Sequence, residues 1–183
     1  FAVYAAKHYG CRITTTTISR QQYDHAQALF AREGLEDRIT LLFEDYRDLQ
    51  GRFDKLVSIE MFEAVGLKFY DAYFGAVDRL LTDDGLALIQ TITMNERRFP
   101  TYIRSTDWIQ QHIFPGAELA SIAEILASLG RATTLNLHHL EGRDLRGRLV
   151  GDFFYVMAAL ISTATISNII GASKRSFVDL PLI

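Results

Sequence analysis

The run FDKLVSIEMFEAVG at residues 53–66 carries the clearest fold signal in this sequence. Its central part, residues 55–59, is a short apolar run typical of a strand buried in a parallel sheet. Two carboxylates, Glu60 and Glu63, follow that strand at once among large apolar side chains. Burying a charge in such surroundings is costly unless the charge has a partner or a task. The run therefore favours a functional loop at the end of a strand; the alternative is that one carboxylate is simply exposed.

Helix and strand signals alternate on both sides of this run. Ser19 is a good N-cap for a helix, and residues 83–85 predict a turn. The predicted elements are a helix over residues 1–9, a strand over 12–17, a helix over 20–33, strands over 39–43 and 55–59, a helix over 69–81 and a strand over 86–92. This order predicts a doubly wound α/β domain with a largely parallel sheet, in which ligands bind at the carboxyl ends of the strands.

The composition narrows the classes of protein. The 183 residues are 49% hydrophobic and 22% charged, as in an ordinary folded domain, and the net charge of −3 argues against a nucleic-acid binder. A single cysteine excludes a disulfide framework within the chain and suits a reducing cytoplasm. The histidines lack the spacing of a metal centre, so no metal site is predicted.

Residues 153–172 form an apolar run without a charged side chain. Its length approaches the roughly 20 residues that a membrane span needs. Five Ser/Thr residues and Asn168 make a membrane span the weaker interpretation. We therefore expect a buried or surface-lying apolar helix, with foreign sequence as a further alternative. The predicted organisation is a core over residues 1–141 and a divergent, low-charge tail over 142–183.

Two strand ends near the N-terminus are candidates for cofactor binding. Thr17 and Ile18 lead into a helix N-terminus, where a nicotinamide-binding domain would usually carry an acidic residue. The absence of that residue and of a Gly-x-Gly-x-x-Gly run disfavours a dehydrogenase. Asp45 and Tyr46 follow the next strand, so a carboxylate and a ring are available to bond and stack on an adenine. The alternatives are a β-branched strand with an N-cap in the first case and a solvated turn in the second.

Five runs together resemble successive motifs of the cyclopropane-fatty-acid and mycolic-acid cyclopropane synthases. They are CRITTTTISRQQ, EDYRDL, FDKLVSIEMFEAVG, YFGAVDRLL and IQQHIFPG, in the same order and spacing over residues 1–140. The resemblance implies a Rossmann-like class I methyltransferase sheet that uses S-adenosylmethionine. It places Thr17, Ile18 and Gln22 against the cofactor, and Tyr46 against the adenine with Asp45 beside it.

The same resemblance implies the chemistry and its residues. Members of the family methylate the cis double bond of an unsaturated acyl chain, here expected to be that of a phospholipid, to give a cyclopropane. Ile59 and Glu63 match residues that hold a bicarbonate ion, which acts as the base. Gln90 stands where well-known members have histidine; its amide can bond an anion but cannot titrate near neutral pH.

Several features depart from the family pattern. The given sequence opens where the helix after the family's first strand and glycine-rich loop would already have begun. We therefore expect a truncated sheet that is inactive alone and binds the cofactor weakly or not at all. The resemblance is expected to end after Glu141. The parent enzyme would be cytoplasmic, bind the membrane surface peripherally and not bind nucleic acid; a homodimer is a further hypothesis. The alternatives are a methyltransferase for a small soluble acceptor and a non-catalytic remnant that binds a membrane or partner.

Overall fold

The computed structural model describes residues 1–106, 108–112, 114–144 and 153–162. Chain contacts divide the protein into two compact units, Phe1–Gln50 and Gly51–Ile183. The first contains α1 (Ala2–Tyr9), β1 (Ile13–Thr16), α2 (Arg20–Arg32) and β2 (Ile39–Leu42). The second contains β3 (Phe53–Ile59), α3 (Tyr70–Leu80), β4 (Leu81–Met94), α4 (Phe99–Tyr102), α5 (Trp108–His112), α6 (Ile122–Ala132), β5 (Leu135–Asp144) and β6 (Phe153–Ser162). The predicted order from the first helix to the fourth strand is confirmed.

Local signals set the boundaries of the first unit. Helix α1 is followed by Gly10 at φ 65°, a left-handed conformation that glycine adopts at little cost. The side chain of Ser19 accepts a hydrogen bond from the Gln22 amide and caps α2 as predicted. Strands β1 and β2 pair in parallel, with Ile13 opposite Ile39. Their sheet packs against the helices through a small apolar core: Ala6, Phe30, Leu35 and Ile39.

The second unit is a four-stranded sheet in the order β3-β4-β6-β5. Strands β3 and β4 are parallel, with Ile59 opposite Gln90. Strand β6 runs antiparallel to both β4 and β5. The prediction of a largely parallel sheet, made from the elements up to residue 92, is confirmed for β1–β2 and β3–β4, whereas the two C-terminal strands, which were not predicted, pair antiparallel. Helix α3 buries Tyr73, Val77 and Leu80, whose spacing puts them on one face of the helix.

The turn predicted at residues 83–85 is wrong, because these residues lie inside β4. In the pairing of β3 with β4, Phe53 lies opposite Leu81 and Lys55 lies opposite Leu86. Strand β4 therefore has more residues than β3 over this stretch, which is an irregularity in the ladder. Gly85 makes this possible, since a Cβ there would lie 2.9 Å from the Thr82 carbonyl oxygen. A polar, glycine-containing run fits a bulge as well as a turn.

The helix expected in the apolar run is also wrong over Phe153–Ser162, which form β6. A strand flanked on both sides by other strands reads as a continuous apolar run, and periodicity alone does not separate it from a buried helix. Residues 163–172 of the run lie outside the described residues. The predicted boundary after residue 141 falls within β5, and the tail's β6 pairs with β4. In the part of the chain that the structure describes, no helix has both the length and the apolar character of a membrane span.

Candidate active site

Glu63 is the most deeply buried carboxylate at the carboxyl end of β3, with 6% of its surface exposed. It lies in a short 3-10 turn, Phe62–Ala64, that directly follows the strand. One carboxylate oxygen, Oε1, accepts a hydrogen bond of 2.5 Å from the backbone amide of Ile92 on β4. The other, Oε2, is buried and has no hydrogen-bond partner among the described residues. Glu63 therefore offers one free acceptor for a ligand.

Glu118 fixes the loop that carries Glu63. Its backbone amide donates to the Glu63 carbonyl oxygen at 2.8 Å. Its side-chain Oε2 accepts from the Leu67 amide at 2.6 Å, so the loop is held at both ends. Gly66, between these anchors, has φ 77°, and a Cβ there would lie 3.6 Å from Glu118 Oε2. Sequence reasoning missed this role, because Glu118 is distant along the chain from Glu63, although it lies just after the run IQQHIFPG.

Gln90 and Glu60 lie side by side where β3 separates from β4. The Glu60 amide donates to the Gln90 carbonyl oxygen at 2.9 Å, one residue beyond the paired Ile59. The side-chain Nε2 of Gln90 lies 3.5 Å from Glu60 Oε1. Ile59 ends β3 with 45% of its surface exposed. The structure thus brings Ile59 and Gln90 together on adjacent strands, as the sequence-based assignment requires.

An aromatic cluster backs this loop. The Phe62 ring is 1% exposed and contacts the rings of Tyr70, Tyr73 and Phe74 at centroid distances of 4.4, 4.9 and 5.5 Å. The Tyr70 hydroxyl is buried without a hydrogen-bond partner in the described part of the chain. Burial, reinforced by the negative charge of Glu118, raises the pKa of Tyr70. The hydroxyl therefore stays protonated, in apolar surroundings beside the Glu63 loop.

The predicted cofactor residues after β1 are bonded to one another. The Thr17 hydroxyl donates to Gln22 Oε1 at 2.8 Å and accepts from the Ser19 amide at 3.1 Å. Ile18, between them, has 70% of its surface exposed. Its apolar side chain projects from a turn whose polar groups are satisfied. The turn thus offers a preformed apolar contact next to exposed hydroxyl and amide groups.

The residues after β2 form a second polar turn. The Arg47 guanidinium forms a bidentate pair with the Asp45 carboxylate: Nε donates to Oδ1 and Nη2 to Oδ2, each at 2.8 Å. The hydrogen bond from Arg47 lowers the pKa of Asp45. The neighbouring Tyr46 is half-buried, and its burial raises the pKa of its phenol. The sequence analysis missed Arg47, although a basic residue two positions from a predicted binding carboxylate was visible.

The candidate residues of both units are of the types that a methyl-transfer site uses. The first unit offers a half-buried aromatic ring, a carboxylate and an apolar contact, which suit a nucleoside. The second offers a buried carboxylate with one spare acceptor and a side-chain amide, which suit a small polar ligand that donates a hydrogen bond.

Comparisons with known proteins agree with this description. Cyclopropane-fatty-acyl-phospholipid synthase of Escherichia coli (strain K12) is 37% identical over 158 residues, covering 86% of this chain and 39% of that protein. The chain thus spans well under half the length of that relative. The crystal structure of mycolic acid cyclopropane synthase CmaA1, complexed with SAH and CTAB, superimposes with a TM-score of 0.73 at 21% identity, covering 86% of this chain and 72% of that one. This likeness confirms the class I methyltransferase fold.

The comparisons differ on how far the resemblance runs beyond Glu141: the family match stops at residue 145, whereas the alignment with one relative extends further. A probable fatty acid methyltransferase of Mycobacterium tuberculosis is 31% identical over 182 residues, covering 94% of this chain and 42% of that protein. An alignment of that extent includes much of the tail.

A family model described as mycolic acid cyclopropane synthetase matches residues 1–145. That match covers both units' candidate site residues, from Thr17 to Gln90. The chain belongs to the mycolic acid cyclopropane synthetase family.

Proposed function

We propose that this chain forms the core of an enzyme that methylates the cis double bond of an unsaturated phospholipid acyl chain and closes a cyclopropane ring. The observation that carries the proposal is Glu63, buried at the end of β3 with one oxygen tied to Ile92 and the other left without a partner among the described residues. Family membership and the likeness to the E. coli synthase support it.

S-adenosylmethionine is the proposed methyl donor, and it supplies an electrophilic methyl group. Thr17, Ile18 and Gln22 would hold it after β1, where Ile18 is exposed and the two polar side chains lie at the surface. Tyr46 would stack on the adenine. Asp45 would accept from the adenine amino group through Oδ2, which takes one hydrogen bond from Arg47, whereas Oδ1 already accepts from both the backbone amide and Nε of Arg47. The SAH complex of CmaA1 supports this cofactor.

Bicarbonate is the proposed occupant of the Glu63 loop. Glu63 Oε2 is a buried acceptor, so the group beside it must donate a hydrogen bond. Bicarbonate carries a hydroxyl that can do so, whereas a fully deprotonated anion would meet a like charge at short range. Ile59, at the exposed end of β3, and Gln90, opposite it on β4, would complete the binding site.

The residues of the second unit suit the chemistry of ring closure. An alkene is a weak nucleophile, so its methylation needs close alignment in a dry site, and the aromatic cluster behind Phe62 excludes water. Transfer leaves positive charge on the acyl chain, which the Glu63 carboxylate stabilises electrostatically. Ring closure requires loss of one proton from the added methyl group, and Glu63 orients the base that takes it.

The substrate implies where the enzyme works. The acyl chain of a phospholipid lies in a membrane, so the enzyme would be cytoplasmic and bind the membrane surface peripherally. The homodimer predicted from the sequence stays a prediction, which light scattering of the full-length protein would test.

The proposal is tested with the full-length protein that contains this sequence. Vesicles of a cis-unsaturated phospholipid and S-adenosylmethionine with a labelled methyl group are incubated together, and the acyl chains are analysed by mass spectrometry. We expect labelled cyclopropane chains, and a loss of turnover of about 10²–10⁴-fold for Glu63→Gln. Glu36→Gln, at an exposed position of the first unit, serves as the control. Label appearing in a soluble acceptor instead of lipid, or full activity of Glu63→Gln, would contradict the proposal.

A further inference from the structure

The run IQQHIFPG, residues 109–116, has no role in the chemistry proposed above. Its residue Gln110 lies in α5, and the side-chain nitrogen Nε2 donates to two oxygens. One is the Ala117 carbonyl oxygen at 2.9 Å, and the other is the Tyr102 hydroxyl oxygen at 3.2 Å. A carbonyl oxygen only accepts hydrogen bonds, so Ala117 requires the nitrogen of this amide and not its oxygen. Gln110 therefore bridges α4 and the segment that follows the run.

The Tyr102 hydroxyl holds the same segment at a second point. Its oxygen accepts a hydrogen bond from the Leu119 amide at 3.1 Å, in addition to the one from Gln110. The Tyr102 side chain is buried in a small apolar cluster, against which Leu67 and Leu119 pack. Because Leu67 belongs to the loop that carries Glu63, this cluster lies between α4 and that loop.

Residues 117–120 form the junction between these side chains and Glu63. Glu118 lies between the two residues that Gln110 and Tyr102 bind, and its amide donates to the Glu63 carbonyl oxygen at 2.8 Å. The segment is fixed at its far end as well, since the Ala120 carbonyl oxygen accepts from the last residue of β4 at 2.8 Å. The junction is thus held by α4, α5 and β4, and it holds the Glu63 loop in turn.

The Glu63 carboxylate depends on this junction because one hydrogen bond alone holds it among the described residues. Its Oε1 accepts from the Ile92 amide at 2.5 Å, and its Oε2 has no partner there. A carboxylate with one such bond can turn about it, so the backbone of the loop sets where the group lies. A displacement of about 1 Å in a reacting group can cost about 100-fold in rate.

We propose that Gln110 and Tyr102 are positioning residues for Glu63 and act on it through residues 117–119. The inference rests on the proposed function, in which Glu63 orients the base. It gives the run IQQHIFPG a role: Gln110 fixes the turn that brings Glu118 to the loop. That turn is closed by the Ala117 amide, which donates to the Phe114 carbonyl oxygen at 3.1 Å.

Two substitutions remove the hydrogen bonds and keep the shapes of the side chains. Tyr102→Phe keeps the buried ring and removes only the oxygen that accepts from Leu119 and Gln110. Gln110→Glu replaces the donating nitrogen by an oxygen, which the Ala117 carbonyl repels. Gln111→Glu is the matched control, since it makes the same change at the neighbouring, exposed residue of the run.

The Ile92 amide proton reports on Glu63 without any activity, because it donates to the carboxylate. In ¹H–¹⁵N NMR spectra of the 183-residue chain, we expect this signal to move upfield in Tyr102→Phe and in Gln110→Glu, since a longer hydrogen bond deshields the proton less. Gln111→Glu should leave the signal in place. An Ile92 signal that stays unchanged in Tyr102→Phe and Gln110→Glu would overturn the proposal.

Lipid methylation by the full-length protein gives the second test. Tyr102→Phe and Gln110→Glu should each lower kcat about 10–100-fold, and the KM for S-adenosylmethionine should stay unchanged because its proposed contacts lie in the first unit. The assays are run at a temperature at which circular dichroism shows each variant to be folded.

A merely structural role would lower the melting temperature and leave kcat per folded molecule unchanged, and that result would contradict the proposal. If the full-length protein methylates no lipid, the proposed function fails, whereas the Ile92 signal still decides how Glu63 is held.

Discussion

The two units treat their candidate site residues in opposite ways. In the first unit, the polar groups of Thr17, Gln22 and Asp45 are already bonded to near neighbours and lie at or close to the surface. In the second, Glu63 is buried and keeps an oxygen without a partner among the described residues. A surface group that gains a ligand exchanges one set of hydrogen bonds for another. A buried, unsatisfied group gains the full value of a bond, so the second unit should dominate selectivity for a small ligand.

The difference follows from how each set of residues is held. Thr17 bonds to a residue five positions away and Arg47 to one two positions away, so these turns form from local sequence. Glu63 is held by Ile92 and by Glu118, which come from distant segments. The Glu63 carboxylate therefore reaches its position only when the second unit is folded, so the stability of that unit determines whether the site forms.

The largest expected effect comes from removing the ring behind Glu63. Phe62→Ala should destabilise the second unit by about 3–5 kcal/mol, since Phe62 is 1% exposed and the change leaves a cavity. The matched variant in the first unit, Phe43→Ala, should cost about 0.5 kcal/mol, because Phe43 is 44% exposed. Urea unfolding followed by far-ultraviolet circular dichroism, which reports on the helices and strands of both units, measures the two costs. Equal losses of unfolding free energy in the two variants would contradict the distinction between a buried and an exposed site.

The next effect concerns the first unit. Tyr46→Ala should weaken S-adenosylhomocysteine binding by the full-length protein by about 1–3 kcal/mol, the usual value of a ring stacked on a base. Tyr46→Phe keeps the ring and should bind nearly as well. Glu63→Gln should leave this affinity unchanged, because the proposed role of the carboxylate lies in the reaction and not in cofactor binding. Isothermal calorimetry measures the affinity of all three variants. A loss of affinity in Glu63→Gln would contradict the separate roles proposed for the two units.

The smallest effect tests the ion pair of Asp45 with Arg47. Because Arg47 lowers the pKa of Asp45, the pair stabilises the fold at neutral pH and loses that contribution as the pH falls below about 4, through the lowered pKa. Arg47→Ala should therefore cost up to about 1 kcal/mol at pH 7 and less at pH 3. Thermal unfolding at the two pH values measures the difference. Asp45→Asn combined with Arg47→Ala should lose no more than either single change, and an additive loss would show that Arg47 has another role.

Local chemistry explains which parts of the fold were predictable. Helices α1 and α2 and strand β3 begin or end within two residues of their predicted bounds, because Gly10 and Ser19 act on their immediate neighbours and the strand is an apolar run bounded by charge. The turn at residues 83–85 and the helix in the apolar tail were wrong, because a bulge and a central strand are defined by what pairs beside them. The candidate site residues came from motifs; the structure places Ile59 opposite Gln90, and the roles of both residues stay predictions.

The sequence by itself determined the order of the elements from α1 to β4, the family and the residue types at the strand ends, because each depends on neighbours along the chain or on motif identity. Only the tertiary structure decided that β6 lies between β4 and β5, that Glu118 brackets the Glu63 loop and that Glu60 takes a left-handed conformation against Gln90. These features arise from contacts between segments far apart in sequence, whose cost and gain depend on burial and on the partners that folding supplies.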